Sequence, residues 1–146
     1  MERRLSLSSA GSARTSPRVG ETGGAARARV LIVDDLADMR FLLRSNLEHR
    51  GFMVVGEAAD PAIAEAMAAE HRPDGVIIDM HIPGHDSMAS ICRLREALPD
   101  ARILAVSASA GDSDVGEGAV VAGADAYFDK AAGFSELVRS FSALFA

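Results

Sequence analysis

Cysteine is almost absent from this 146-residue chain: Cys92 stands alone, which excludes an internal disulfide, and nothing demands an oxidising compartment. The expected location is therefore cytoplasmic. No apolar run approaches the roughly 18 residues a membrane helix needs, so no membrane span is expected. The first 28 residues lack a hydrophobic core segment, which excludes a secretory signal. No Cys/His spacing suits zinc. The segment VLIVDDLAD contains no glycine, so neither a P-loop nor a dinucleotide-binding turn follows the first apolar run, and nucleotide binding is disfavoured. Lysine is as scarce as cysteine, with Lys130 the only one in the chain.

Charge is unevenly spread. Residues 1–29 carry six arginines and two glutamates, a net of +4, whereas residues 30–146 carry nine basic and nineteen acidic groups, a net of -10. The acidic part has no electrostatic footprint for nucleic acid. Residues 1–28, rich in Ser, Gly, Ala and Arg, cannot bury enough surface to offset their ordering entropy. They are read as a disordered, dispensable tail. The Arg/Ser-rich composition is also that of a transit peptide or a weak binding arm. Residues 29–146 are read as one domain.

In that domain, strand and helix signals alternate five times. Strands are predicted at 30–33, 52–56, 75–78, 102–106 and 126–128. The first helix, 37–50, carries Met39, Leu42, Leu43 and Leu47 at helical spacing and stops at Gly51. Asp60-Pro61 opens the second, which runs to His71. Asp86 or Ser87 caps the third, whose inward residues are Met88, Ile91, Leu94 and Leu98. Cys92 is placed with them as a small buried hydrophobe. The fourth helix, 112–122, contains Gly116 and Gly118, each costing about 1 kcal/mol relative to alanine, and is expected to be the least stable. Ser135 is expected to cap the fifth, whose stripe is Leu137, Val138, Phe141 and Leu144.

Five such units make a flavodoxin-like, doubly wound α/β sheet. The polar residues that follow the strands choose its order. Asp34-Asp35, Asp79, Ser107 and Lys130 follow strands one, three, four and five. Strand order 3-2-1-4-5 would hold Asp79 about 10 Å from the Asp34-Asp35 pair, at about 4.8 Å per strand. The order 2-1-3-4-5 sets the four strands side by side and gathers every polar group at the switch point, where open sheets bind ligands.

Three clustered carboxylates repel one another, which a divalent cation relieves. Oxygen ligands with a phosphate nearby suit magnesium. Lys130 supplies a positive charge for a carboxylate or a phosphoryl oxygen. Ser107 reads as a donor rather than an attacking nucleophile, because no histidine base is expected beside it. His81 and His85 read as solvent-exposed turn residues.

The motifs VLIVDD, IIDMHIPG, AVSA and GADAYFDK together resemble the receiver domain of two-component response regulators, over residues 29–146. The resemblance implies that Asp79 is the phosphoacceptor, taking a phosphoryl group from a histidine kinase or a histidine phosphotransfer protein. It implies Mg2+ held by Asp35, Asp79 and the backbone carbonyl of His81, with Asp34 acting through water. Lys130 and Ser107 would take the charge on the transferred group. Tyr127 would be the switch that follows Ser107 and alters the surface of helix four, strand five and helix five. His81 and Ser109, two residues beyond Asp79 and Ser107, are expected to tune loss of the phosphoryl group.

Two positions depart from the family pattern. Ala131 replaces the usual proline, so a trans bond is predicted after Lys130, and Ser87 stands where glycine is common. Nothing follows the fifth helix, so a stand-alone module is expected, acting by binding a downstream protein and not as an enzyme. Homodimerisation is left open. The rival readings are a pseudo-receiver that signals without phosphate and a phosphatase using Asp79. The phosphatase class needs a second aspartate where this chain has His81.

Overall fold

The computed structural model describes residues 27–108 and 113–146. The tail expected over 1–28 lies almost wholly outside them, as do Ser109 and Asp112. Five strands, β1 (Arg29–Val33), β2 (Met53–Ala58), β3 (Gly75–Asp79), β4 (Arg102–Ser107) and β5 (Ala126–Asp129), form one parallel sheet in the order β2-β1-β3-β4-β5. Five helices connect or follow them: α1 (Ala37–His49), α2 (Pro61–His71), α3 (Ser87–Ala97), α4 (Ser113–Ala122) and α5 (Phe134–Ala143). This is the flavodoxin-like arrangement expected from the sequence.

Alternation along the strands builds a core on each face of the sheet. Leu31, Val33, Val76, Ile78 and Ile103 point to the side covered by α2, α3 and α4. Val30, Ile32, Ile77, Leu104 and Val106 point to the side covered by α1 and α5. At the far end of the second core, the rings of Phe52, Phe141 and Phe145 pack with centroids 5.3–5.7 Å apart. A β-carbon at Gly75 would lie 2.5 Å from Cζ of Phe141, so only glycine lets that ring close onto β3.

Local signals set most boundaries. Asp60 accepts from the Ile63 amide and Asp86 from that of Ala89, capping α2 and α3. Gly51, at φ 94°, turns the chain after α1. No peptide bond among the described residues is cis, so the Lys130–Ala131 bond is trans as expected.

Several expectations are corrected. α1 buries Leu43 and Leu47, but Leu42, about 100° round the helix from Leu43, falls on the outer side and is 40% exposed. The same geometry turns Cys92 outward next to buried Ile91. Ser135 does not cap α5. A 3-10 turn at Lys130–Ala132, closed by the Asp129 side chain on the Ala131 amide, carries the chain through Gly133 straight into the helix at Phe134. β2 extends to Ala58 because it stays paired with β1 as far as Val33.

Candidate functional site

The strand order brings four chain segments together at the C-terminal end of the sheet. Beyond β1, the Asp34 amide donates to Ala58 O at 3.0 Å, and Arg40 of α1 holds the Asp34 carbonyl at 2.7 Å. The acidic pair is thus fixed before the helix begins. The Asp34 carboxylate is buried and fully engaged, accepting the Leu36 amide on Oδ1 at 2.9 Å and the Lys130 ammonium on Oδ2 at 3.0 Å. Asp79 closes β3, 5% exposed, opposite Val106. Its Oδ1 accepts the His81 amide at 3.3 Å and lies 3.5 Å from Lys130 Nζ. Ser107, wholly buried, ends β4 opposite Asp129, which places Lys130 one residue further on.

One ligand oxygen from each of Asp34, Asp35 and Asp79 lies within 4.8 Å of the others. Lys130 sets a single ammonium against three carboxylates, so the cluster keeps a surplus of negative charge. Burial pushes the Asp79 carboxyl above the usual aspartate range, and the Asp34 charge adds to this. Lys130 and the His81 amide oppose it. Closely spaced hard oxygen donors with excess negative charge fit a divalent cation of the magnesium type.

The structure corrects the sequence reading at His81. Although exposed, its ring turns back so that Nε2 lies 2.6 Å from Ser107 Oγ. A histidine therefore does stand beside the serine. The available signal was that β3 and β4 are neighbours, so a residue just past one strand can reach the end of the other. His85 is exposed in the same loop, as expected. Tyr127, half-buried on β5, packs its ring against α4, and its hydroxyl is buried without a hydrogen-bond partner among the described residues. A β-carbon at Gly116 would lie 2.7 Å from Cδ2 of Tyr127, and one at Gly118 would lie 2.8 Å from Cε of Met88. Both glycines expected to weaken α4 are thus the points where that helix approaches its neighbours.

Parallel strands with an acidic pair, a third acid, a serine and a lysine at their ends form a site whose donors suit a phosphate and a divalent cation. The family model for the response regulator receiver domain matches residues 30–142, and the chain belongs to that family. It is 37% identical over 102 residues to the chemotaxis protein CheY of Bacillus subtilis, covering 70% of this chain and 84% of that protein. It is 36% identical over 121 residues to the transcriptional regulatory protein PrrA of Mycobacterium tuberculosis, covering 83% of this chain but only 51% of PrrA. Among solved structures, a response regulator from Burkholderia pseudomallei with a phosphorylated aspartic acid, calcium ion and citrate superposes with a TM-score of 0.71 at 27% identity, covering 78% of this chain and 66% of that one. Among the described residues, no helix is long and apolar enough to cross a membrane.

Proposed function

We propose that this chain is a phosphoacceptor of a two-component phosphorelay and that Asp79 receives the phosphoryl group. The observation that carries this reading is the position of Asp79, buried at the end of β3 within 3.5 Å of the chain's only lysine and inside a cluster of three carboxylates. The phosphorylated aspartate of the Burkholderia regulator supports it.

A carboxylate oxygen of Asp79 attacks the phosphorus of a phosphohistidine. The new O–P bond forms as the P–N bond breaks, and the imidazole leaves with the electron pair. Lys130 is placed to offset charge on the transferred group, and Ser107 offers a hydroxyl donor once it parts from His81. Asp35, Asp79 and the His81 carbonyl would hold Mg2+. Asp34, with both oxygens already engaged, would act through water. When bound, the cation supplies positive charge against the phosphoryl oxygens. Asp79 is consumed once per transfer and restored by hydrolysis, so the protein is a signalling module and not a turnover enzyme.

The donor is a histidine kinase or histidine phosphotransfer protein. It must cover the rim beside Asp35, where Leu36 is 55% and Phe41 67% exposed, and these supply an apolar contact. On this reading the protein works in the cytoplasm. Tyr127 is the switch, because its partnerless hydroxyl and its contact with Gly116 link the site to α4. Output passes to a downstream protein, or to a second copy, through α4, β5 and α5, where Val121 is 88% exposed. The acidic domain itself binds no nucleic acid.

Incubation with Mg2+ and a small phosphodonor tests the reading by mass spectrometry. Gain of one phosphoryl group, lost in Asp79→Asn, is the expected result. No gain would favour a pseudo-receiver, and multiple-turnover release of phosphate from esters a phosphatase.

A further inference from the structure

One peptide plane in the loop after β3 is held at both of its polar ends. The carbonyl of Met80 accepts a hydrogen bond from Ser87 Oγ at 2.8 Å. The N–H of His81, on the opposite side of the same plane, donates to Asp79 Oδ1 at 3.3 Å. A trans peptide is rigid, so its carbonyl and N–H cannot be aimed independently. Whatever orients the Met80 carbonyl also orients the His81 amide.

Ser87 is built for this contact. It is the first residue of α3 and is buried, yet it does not cap the helix. Asp86 does so, its Oδ1 accepting the Ala89 amide at 3.1 Å. The neighbouring Ser90 spends its hydroxyl on the Asp86 carbonyl at 3.1 Å. The Ser87 hydroxyl therefore reaches back across the loop, over seven residues, to the segment that carries Asp79. On the other side of Met80, its amide donates to Val106 O at 2.8 Å. The Asp79–Met80 peptide is thus tied to β4, and the next plane, Met80–His81, is tied to α3.

We propose that Ser87 is a positioning residue for the phosphoacceptor: through the Met80–His81 peptide its hydroxyl holds the His81 amide on the Asp79 carboxylate and fixes the backbone that presents the His81 carbonyl. The kinetic consequence rests on the function proposed above, whereas the orienting role does not. Without the hydroxyl, the Met80 carbonyl loses its donor in a buried setting, and the plane turns to find another. That turn takes the amide off Asp79. The carboxylate keeps Lys130 but loses the donor that fixes its rotation.

Three variants of the full chain test this: Ser87→Ala, which removes only the oxygen, Ser87→Thr, which keeps it, and Ser87→Gly, which replaces the alanine variant should that one not fold. In nitrogen-15 correlation spectra, the His81 amide resonance should shift and its exchange accelerate in the alanine protein, while the Ala89 amide in the adjacent cap stays in place. With Mg2+ and a small phosphodonor, the rate of phosphoryl uptake should fall about tenfold, as misplacement of a reacting group predicts. Threonine should behave as wild type in both measurements. An unmoved His81 amide in the alanine protein, a wild-type uptake rate there, or a folded threonine variant that behaves like alanine overturns the proposal. If wild type itself takes up no phosphoryl group, the proposed function fails, and the amide spectrum alone decides whether Ser87 orients the plane.

Discussion

His81 Nε2 lies 2.6 Å from Ser107 Oγ, so the imidazole engages the hydroxyl that an incoming phosphoryl oxygen would need. Uptake then requires that bond to be exchanged. His81→Phe keeps a ring but offers no hydrogen bond. Relief of one hydrogen bond of about 1 kcal/mol should raise the rate of phosphoryl uptake about fivefold. Loss of the imidazole also removes a polar group able to hold a hydrolytic water, so the phosphoryl half-life should lengthen by a similar factor. Both rates come from one mass-spectrometric time course with a small phosphodonor. An unaltered decay rate would sink the role given to His81.

Lys130 pairs with the carboxylates of both Asp34 and Asp79, at 3.0 and 3.5 Å. Lys130→Met leaves the carboxylates buried and mutually repelling. The variant should lose about 2–3 kcal/mol in chemical denaturation at neutral pH. Millimolar Mg2+ should recover part of that loss by binding the folded state. Phosphoryl uptake should fall about 10²–10³-fold, as for removal of one preorganised charge from a reacting centre. A variant as stable as wild type without Mg2+ would show that the ammonium does not offset the carboxylate repulsion.

The strand order and the meeting of the acids, Ser107 and Lys130 were legible because they depend on strand order alone. Each group lies at or just past a strand end, and one permutation of five strands brings them together. Rotational phase was harder. Hydrophobic spacing in α1 cannot tell which of Leu42 and Leu43 faces the sheet, and the same ambiguity sent Cys92 to the wrong side of α3. Side chains in turns obey no period at all. The reach of His81 to Ser107, and of Ser87 to Met80, depends on the path of residues 80–87, which no repeat encodes.

The raised Asp79 pKa carries a definite pH dependence. The folded state holds the Asp79 proton more tightly than the unfolded chain, so folding takes up a proton between the ordinary aspartate range and the raised value. The contribution is stabilising below that window and is lost as pH rises through it. Asp79→Asn cannot ionise, so it should be more stable than wild type at neutral pH, with the gap narrowing toward acid. Denaturation midpoints in Mg2+-free buffer from pH 3 to 8 read this directly. Added Mg2+ should raise the wild-type midpoint more than that of Asp79→Asn, since the cation favours the ionised carboxylate. A gap that widens toward acid would contradict the desolvation argument.

Gly116 opposes two effects of similar size. Alanine in the middle of α4 would gain about 1 kcal/mol in helix propensity. Its β-carbon, 2.7 Å from the Tyr127 ring, would force the ring or the helix to move, at a cost of about 1–3 kcal/mol. The clash wins if the ring is confined where it lies, under α4 with its hydroxyl buried. Gly116→Ala should therefore destabilise the wild-type background by about 1 kcal/mol. In a Tyr127→Ala background the clash is gone and only propensity remains, so the same substitution should stabilise by up to about 1 kcal/mol. A double-mutant cycle isolates this reversal of sign. Equal effects in both backgrounds would mean that Tyr127 and α4 are not coupled through Gly116, and the path from site to output face would have to run elsewhere.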